Sequence, residues 1–177
     1  IWGFDLNYMF IRAKMRSAWD FFQLGRTDKR SEMKVVKFSS GAYGDSDFNI
    51  VTTIGRFQLD LLVVIKREHK LTSYTLNNVS NHFLNDKKVD MPYKLMFEKY
   101  KGTSKDRRDI GEYCVQDAML PLLLTNKLAI VPNMIEMSKA TWVPLNYLVE
   151  RGQGIKVFSQ ILYTTLQEDM LVLTRNR

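Results

Sequence analysis

The feature that most constrains this chain is a change of apolar period along its length. Between residues 35 and 61 the sequence alternates as a strand requires, and on both sides the apolar residues recur at helical spacing. Asp5 precedes Leu6, Met9, Phe10 and Ala13, spaced i, i+3, i+4, i+7, which predicts a helix beginning just after Asp5 with the aspartate as candidate N-cap. Residues 20–34 are mixed and polar and are expected to form a surface connection. Val35-Val36-Lys37-Phe38 and Phe48-Asn49-Ile50-Val51 flank the Gly- and Asp-rich turn at 41–47, which predicts a β-hairpin over residues 35–54. Phe57, Leu59 and Leu61 then alternate with Arg56, Gln58 and Asp60, a third strand signature. The apolar run 61–65 either continues that strand or starts a helix.

Helical patterning resumes downstream. Thr72 or Ser73 can cap a helix through Leu76, Val79 and Phe83. Residues 85–103 form a polar connection with breakers at 85–88 and at Met91-Pro92, holding a short helix near 95–100. Ser104 can cap a helix whose stripe is Ile110, Tyr113, Cys114 and Asp117. Pro121 kinks or restarts that helix, and residues 122–128 continue it. From Ile130 on the pattern is helical, broken at 141–144 and again where Gly152 and Gly154 flank Gln153. This order predicts an α/β or α+β domain with an added hairpin, then an all-helical segment.

Composition narrows the function classes. The 177 residues are 45% hydrophobic and 25% charged, which suits a globular domain with a real core. The longest apolar runs, 61–65 and 120–124, fall far short of a membrane span, so no membrane partner is expected. The single cysteine, Cys114, excludes a disulfide framework and Cys-rich zinc sites; it is expected in the core of an intracellular protein. His69 and His82 form no zinc-type motif, and there is no glycine-rich phosphate loop or serine-hydrolase elbow. The net charge of +7 invites a polyanionic partner, but the excess is diffuse: 8 basic against 6 acidic residues in 1–54, 13 against 9 in 55–129, 5 against 4 in 130–177. The chain opens without methionine and closes out of an apolar stretch, and is expected to be an internal piece of a longer protein.

The candidate chemistry lies in two acids. Tyr113 and Asp117 share one helix face, one turn apart. A carboxylate on a buried face is costly unless paired or bound to a metal. Asp5 and Asp117, brought together, could hold hard cations that activate a water for phosphodiester hydrolysis. Spacing alone leaves blander roles open: an N-cap for Asp5, a half-buried core tyrosine for Tyr113, an ion pair for Asp117.

Phe4-Asp5 followed by Leu6-Asn7-Tyr8-Met9 and Arg12-Ala13 resembles the second exonuclease motif of the family B DNA polymerases. Tyr113-Cys114-Val115-Gln116-Asp117-Ala118 resembles the third, Tyr-x-x-x-Asp. Between them, the segments from Gly55 to Leu62 and from Arg67 to Asn77 resemble the delta-type replicative enzymes, as do Val143-Pro144-Leu145-Asn146-Tyr147-Leu148 and Arg151 to Val157. The similarity covers nearly the whole chain, and polymerases of large DNA viruses are also similar.

This resemblance implies an RNase H-like α/β fold for a proofreading 3′–5′ exonuclease, incomplete at its N-terminus, with an inserted hairpin. Residues 1–129 would be partial exonuclease domain and 130–177 a helical lead-in to the polymerase palm. Asp5 and Asp117 match the metal-binding carboxylates, for two Mg²⁺ (or Mn²⁺) ions in the complete site. Tyr113 matches the residue that positions the attacking water, and Phe4, Tyr74 and Asn77 are implied DNA contacts. Implied partners are the primer-template and its single-stranded 3′ end, deoxynucleotides, and replication accessory subunits. The implied location is the nucleus, or a viral replication site in a host cell. The family's first exonuclease motif, Asp-x-Glu, occurs nowhere in the chain, and the polymerase motifs are absent, so the chain alone is expected to be inactive. The alternative is a non-catalytic RNase H-like module that binds single-stranded DNA or supports a replication assembly.

Overall fold

The computed structural model describes residues 1–40, 44–85 and 91–173, with 38–40 and 44–46 as backbone only. In chain order it contains α1 (Asp5–Met15), a 3-10 turn (Trp19–Phe22), β1 (Met33–Ser40), β2 (Gly44–Val51), α2 (Leu61–Glu68), α3 (Leu76–Leu84), α4 (Tyr93–Lys101), α5 (Ser104–Lys127), α6 (Ile130–Thr141), α7 (Leu145–Glu150) and α8 (Gly154–Gln167). Helices dominate, and the sheet among the described residues is the two-stranded pair β1–β2. No single helix among them is long and apolar enough to cross a membrane. The chain divides into two compact units, one of residues 1–64 together with the chain from Met134 on, the other Ile65–Asn133.

In the first unit α1 buries Phe10 and Ala13 against Phe22 and Val51, with Leu6, Phe21, Leu24 and Met33 around them. Phe10 meets Phe22 edge-on at 5.1 Å and Phe21 at 5.6 Å. Residues 20–34 are therefore more than a surface connection: the 3-10 turn delivers an aromatic pair that covers the α1 stripe. That stripe is narrower than its spacing suggested, since Met9 is 45% exposed. Asp5 is not the N-cap. Phe4 occupies that position without a side-chain cap, and Asp5 is the first helical residue, where its charge favours the positive end of the helix.

The hairpin pairs antiparallel from Met33↔Val51 to Ser40↔Gly44. Strand pairing reaches Gly44, inside the expected 41–47 turn, and residues 41–43 lie outside the described residues. Ile50 and Val51 at its foot are buried. The third strand predicted at 56–61 does not form; 56–60 is irregular. A strand needs a ladder partner. Here Gly55 turns the chain at φ +77°, and the Gln58 amide instead donates to the Val51 carbonyl (2.8 Å) and to Thr53 Oγ1 (2.9 Å). The 61–65 run starts a helix, α2, whose Leu62 N–H donates to Asp60 Oδ1 at 3.0 Å. At the other end of the unit, Trp142 stacks on Tyr163 of α8 (4.3 Å, 15°), and Met134, Val143 and Val149 are buried.

In the second unit α3 and α4 pack on α5. The caps sit away from the expected positions. Thr75, not Thr72 or Ser73, caps α3 by accepting the Asn78 N–H. Thr103, not Ser104, caps α5 in a reciprocal box with Asp106. The 24-residue α5 runs through Pro121. Its inward row is Ile110, Tyr113 and Asp117, half-buried, then Leu120 and Leu124, each 1% exposed. Cys114 is exposed rather than in the core, because it lies about 100° around the helix from Tyr113. The breakers at 86–88 lie outside the described residues.

Candidate active-site residues

The first group is built at the head of α1. Trp2 is 1% exposed and held at three points. Its indole packs against Phe48 at 5.7 Å, its backbone N–H donates to Asp60 Oδ2 at 2.9 Å, and its backbone carbonyl accepts the Asn49 N–H at 3.2 Å. Two residues on, Phe4 is 69% exposed and stacks on Tyr8 (5.6 Å, 14°). The Asp5 side chain is 64% exposed, with one carboxylate oxygen 3.5 Å from the Ile1 nitrogen. An open carboxylate beside an exposed aromatic pair can meet a cation and a stacked base together.

Asp60, which the alternating pattern of 56–61 places on the polar face of a strand, is only 7% exposed. It takes the Ile1 nitrogen (2.9 Å) and the Trp2 N–H on Oδ2 and the Leu62 N–H on Oδ1. Burial pushes its pKa up, but the Ile1 nitrogen and the two backbone N–H bonds outweigh that, and the carboxyl lies below its ordinary value. An acid directly before an apolar helical run was the available signal.

The second group lies in the other unit. Tyr113 and Asp117 sit one turn apart on the half-buried row of α5. Tyr74 is half-buried between α2 and α3: its hydroxyl donates to the His69 carbonyl (2.9 Å) and accepts the Leu71 N–H (3.3 Å), with the Lys66 ammonium 5.8 Å from its ring. Asn77 follows in the first turn of α3, half-buried, its Oδ1 enclosed. Thus Phe4 joins Asp5, Tyr113 joins Asp117, and Tyr74 and Asn77 shape the entry to α3. Carboxylate oxygens are the donors a hard cation prefers. Among the described residues no three His, Cys, Asp or Glu side chains gather as a metal-holding group.

Residues 1–79 match the family described as DNA polymerase family B, exonuclease domain. The DNA polymerase delta catalytic subunit of Candida albicans is 45% identical over 171 residues, covering 96% of this chain and 16% of that protein. That of Dictyostelium discoideum is 42% identical over 173 residues, covering 97% of this chain and 16% of the other. That of Bos taurus is 40% identical over 173 residues with the same coverage of 97% and 16%. The chain thus spans about 16% of the length of these relatives.

Proposed function

We propose that this chain, which belongs to the family B DNA polymerases as a segment of their exonuclease region, contributes part of a proofreading 3′–5′ exonuclease to a DNA-directed DNA polymerase. The observation that carries this reading is the open Asp5 carboxylate beside the exposed Phe4–Tyr8 stack, inside the stretch that matches the exonuclease family. Residues 1–129 are then partial exonuclease domain of RNase H-like fold and 130–177 the lead-in to the palm. The hairpin β1–β2 helps pass the primer strand between sites.

In this reading Asp5 and Asp117 are metal-binding carboxylates of the complete site. Tyr113, one turn before Asp117, offers a hydroxyl that orients the attacking water. Phe4 packs against the terminal base of the primer, and Tyr74 and Asn77 lie along the strand. Bound Mg²⁺ or Mn²⁺ would supply an activated water and stabilise the leaving oxygen. The remaining carboxylates come from elsewhere in the longer protein, since no Asp-x-Glu occurs here. Its substrates are the primer 3′ end and deoxynucleotides, its further partners replication accessory subunits, and its location the nucleus or a viral replication site.

The test uses the longer polymerase and a labelled primer with a mispaired 3′ end. Asp117→Ala is expected to abolish metal-dependent removal of that end while primer extension persists. Undiminished removal in Asp117→Ala overturns the assignment. Binding of single strands without hydrolysis by the unaltered polymerase would favour a non-catalytic RNase H-like module.

A further inference from the structure

We infer that Asp60 is a positioning residue for the Asp5 carboxylate, acting through the backbone of Trp2. The inference rests on the reading of Asp5 as a metal-binding acid. Asp5 is exposed, so its place is set by the backbone that precedes it rather than by packing of its own side chain. That backbone is tied down three residues earlier. Asp60 Oδ2 takes the Trp2 N–H and the Ile1 nitrogen, both at 2.9 Å, across 58 and 59 residues of sequence. Oδ1 takes the Leu62 N–H at the head of α2. The Ile1 carbonyl in turn accepts the Leu6 N–H (3.3 Å), inside the first turn of α1. One buried carboxylate therefore joins the start of α2 to the start of the helix that carries Asp5.

The two oxygens do different work, which separates positioning from simple helix capping. A cap needs only the bond to Leu62, and serine is a good cap. Serine is too short to cap α2 and also reach the Trp2 N–H, which is then buried without its acceptor. Asparagine keeps the length, but when its oxygen caps Leu62 its amide faces the Trp2 N–H donor to donor. Displacing a reacting group by about 1 Å costs on the order of 10²-fold in rate.

The experiment compares Asp60→Ser, Asp60→Asn and Asp117→Ala in the longer polymerase. It measures excision kcat and KM on a mispaired primer, incorporation on a matched primer, and Mn²⁺ affinity by electron paramagnetic resonance. Asp60→Ser is expected to lower excision kcat about tenfold or more and to weaken Mn²⁺ binding severalfold, leaving KM and incorporation unchanged. Wild-type kcat and Mn²⁺ affinity in Asp60→Ser would show a plain helix cap and overturn the inference. Should the serine variant not fold, the same readouts on Asp60→Asn decide, with unchanged values again overturning it. If the unaltered polymerase cuts and Asp117→Ala does not, retained cutting in the Asp60 variants sinks this inference alone. If the unaltered polymerase does not cut, the assignment of Asp5 falls and takes this inference with it.

Discussion

Truncating Leu120 to alanine removes a side chain only 1% exposed from the row of α5 that carries Tyr113 and Asp117. Three carbons leave the interior, worth roughly 2.4 kcal/mol at about 0.8 kcal/mol each. A cavity of some tens of cubic ångströms that closes only partly adds about 1 kcal/mol, for a total near 3 kcal/mol. At 1.4 kcal/mol per decade that is about a 10²-fold rise in local opening. Met119, the preceding residue, is 46% exposed, and its truncation is expected to cost under about 1 kcal/mol. Amide hydrogen exchange on peptides spanning α5, in the longer polymerase, reads both substitutions. Leu120→Ala should speed exchange across the Tyr113–Asp117 turn about 10²-fold, and Met119→Ala by less than about fivefold. Equal effects, or a larger one at Met119, would refute the assignment of this row as the buried face of α5.

Two glycines should respond with opposite sign. At Gly111, inside α5, an added Cβ meets nothing within 4 Å, so Gly111→Ala should stabilise α5 by about 0.5–1 kcal/mol. At Gly55, φ is +77° and the added Cβ would lie 3.0 Å from Arg26 Cβ, so Gly55→Ala should destabilise the hairpin foot by about 1–2 kcal/mol, both read by hydrogen exchange. Acid unfolding of the 177-residue chain, in which the terminal ammonium of Ile1 is one of the bonds to Asp60, tests this carboxylate. Its folded pKa is depressed, so the unfolded state binds the proton more readily. The stability it contributes is full above the ordinary carboxylate value near 3.9 and is lost as pH falls through the lower folded value. Asp60→Asn should flatten the loss of stability below about pH 4, and an unchanged slope there would contradict it.

Period and composition located most helices because helical spacing is a local property. Phe10 and Ala13, Leu95–Tyr100, Met134–Met137 and Ile155–Leu166 all fall where the pattern put them. Caps were displaced because capping depends on backbone angles as well as residue type. Thr75 (ψ 148°) and Thr103 (ψ 173°) are extended, whereas Ser104 is already inside its helix. The alternation at 57–61 is real in the sequence, but a strand is a property of a pair, and 56–60 has no ladder among the described residues. Phe21 and Phe22 were hidden by polar neighbours. Tyr113 and Asp117 were legible because one turn of helix relates them. Asp60 was not, since its bond to Trp2 spans 58 residues and no period links two such positions.

The turn bearing Tyr113 and Asp117 sits where α5 changes character. Before it, the helix is held by charge: the Thr103–Asp106 box, Arg108 on Glu112 at 2.8 Å, and Lys99 on Asp109 and Asp106. After it come Leu120 and Leu124. The charged contacts raise the pKa of Arg108 through Glu112 and of Lys99 through Asp109 first, and lower that of Asp106 through Thr103. The Arg108–Glu112 pair is solvent-exposed and the Lys99 pairs are half-buried at the surface, all open to screening by salt and individually of small consequence. Two leucines at 1% exposure outweigh them, so the placement of Asp117 should survive salt and fail on loss of Leu120. Pro121 adds to that dependence. It has no N–H for the Asp117 carbonyl, so the turn lacks one backbone bond of an ordinary helix and relies more on the packing beneath it.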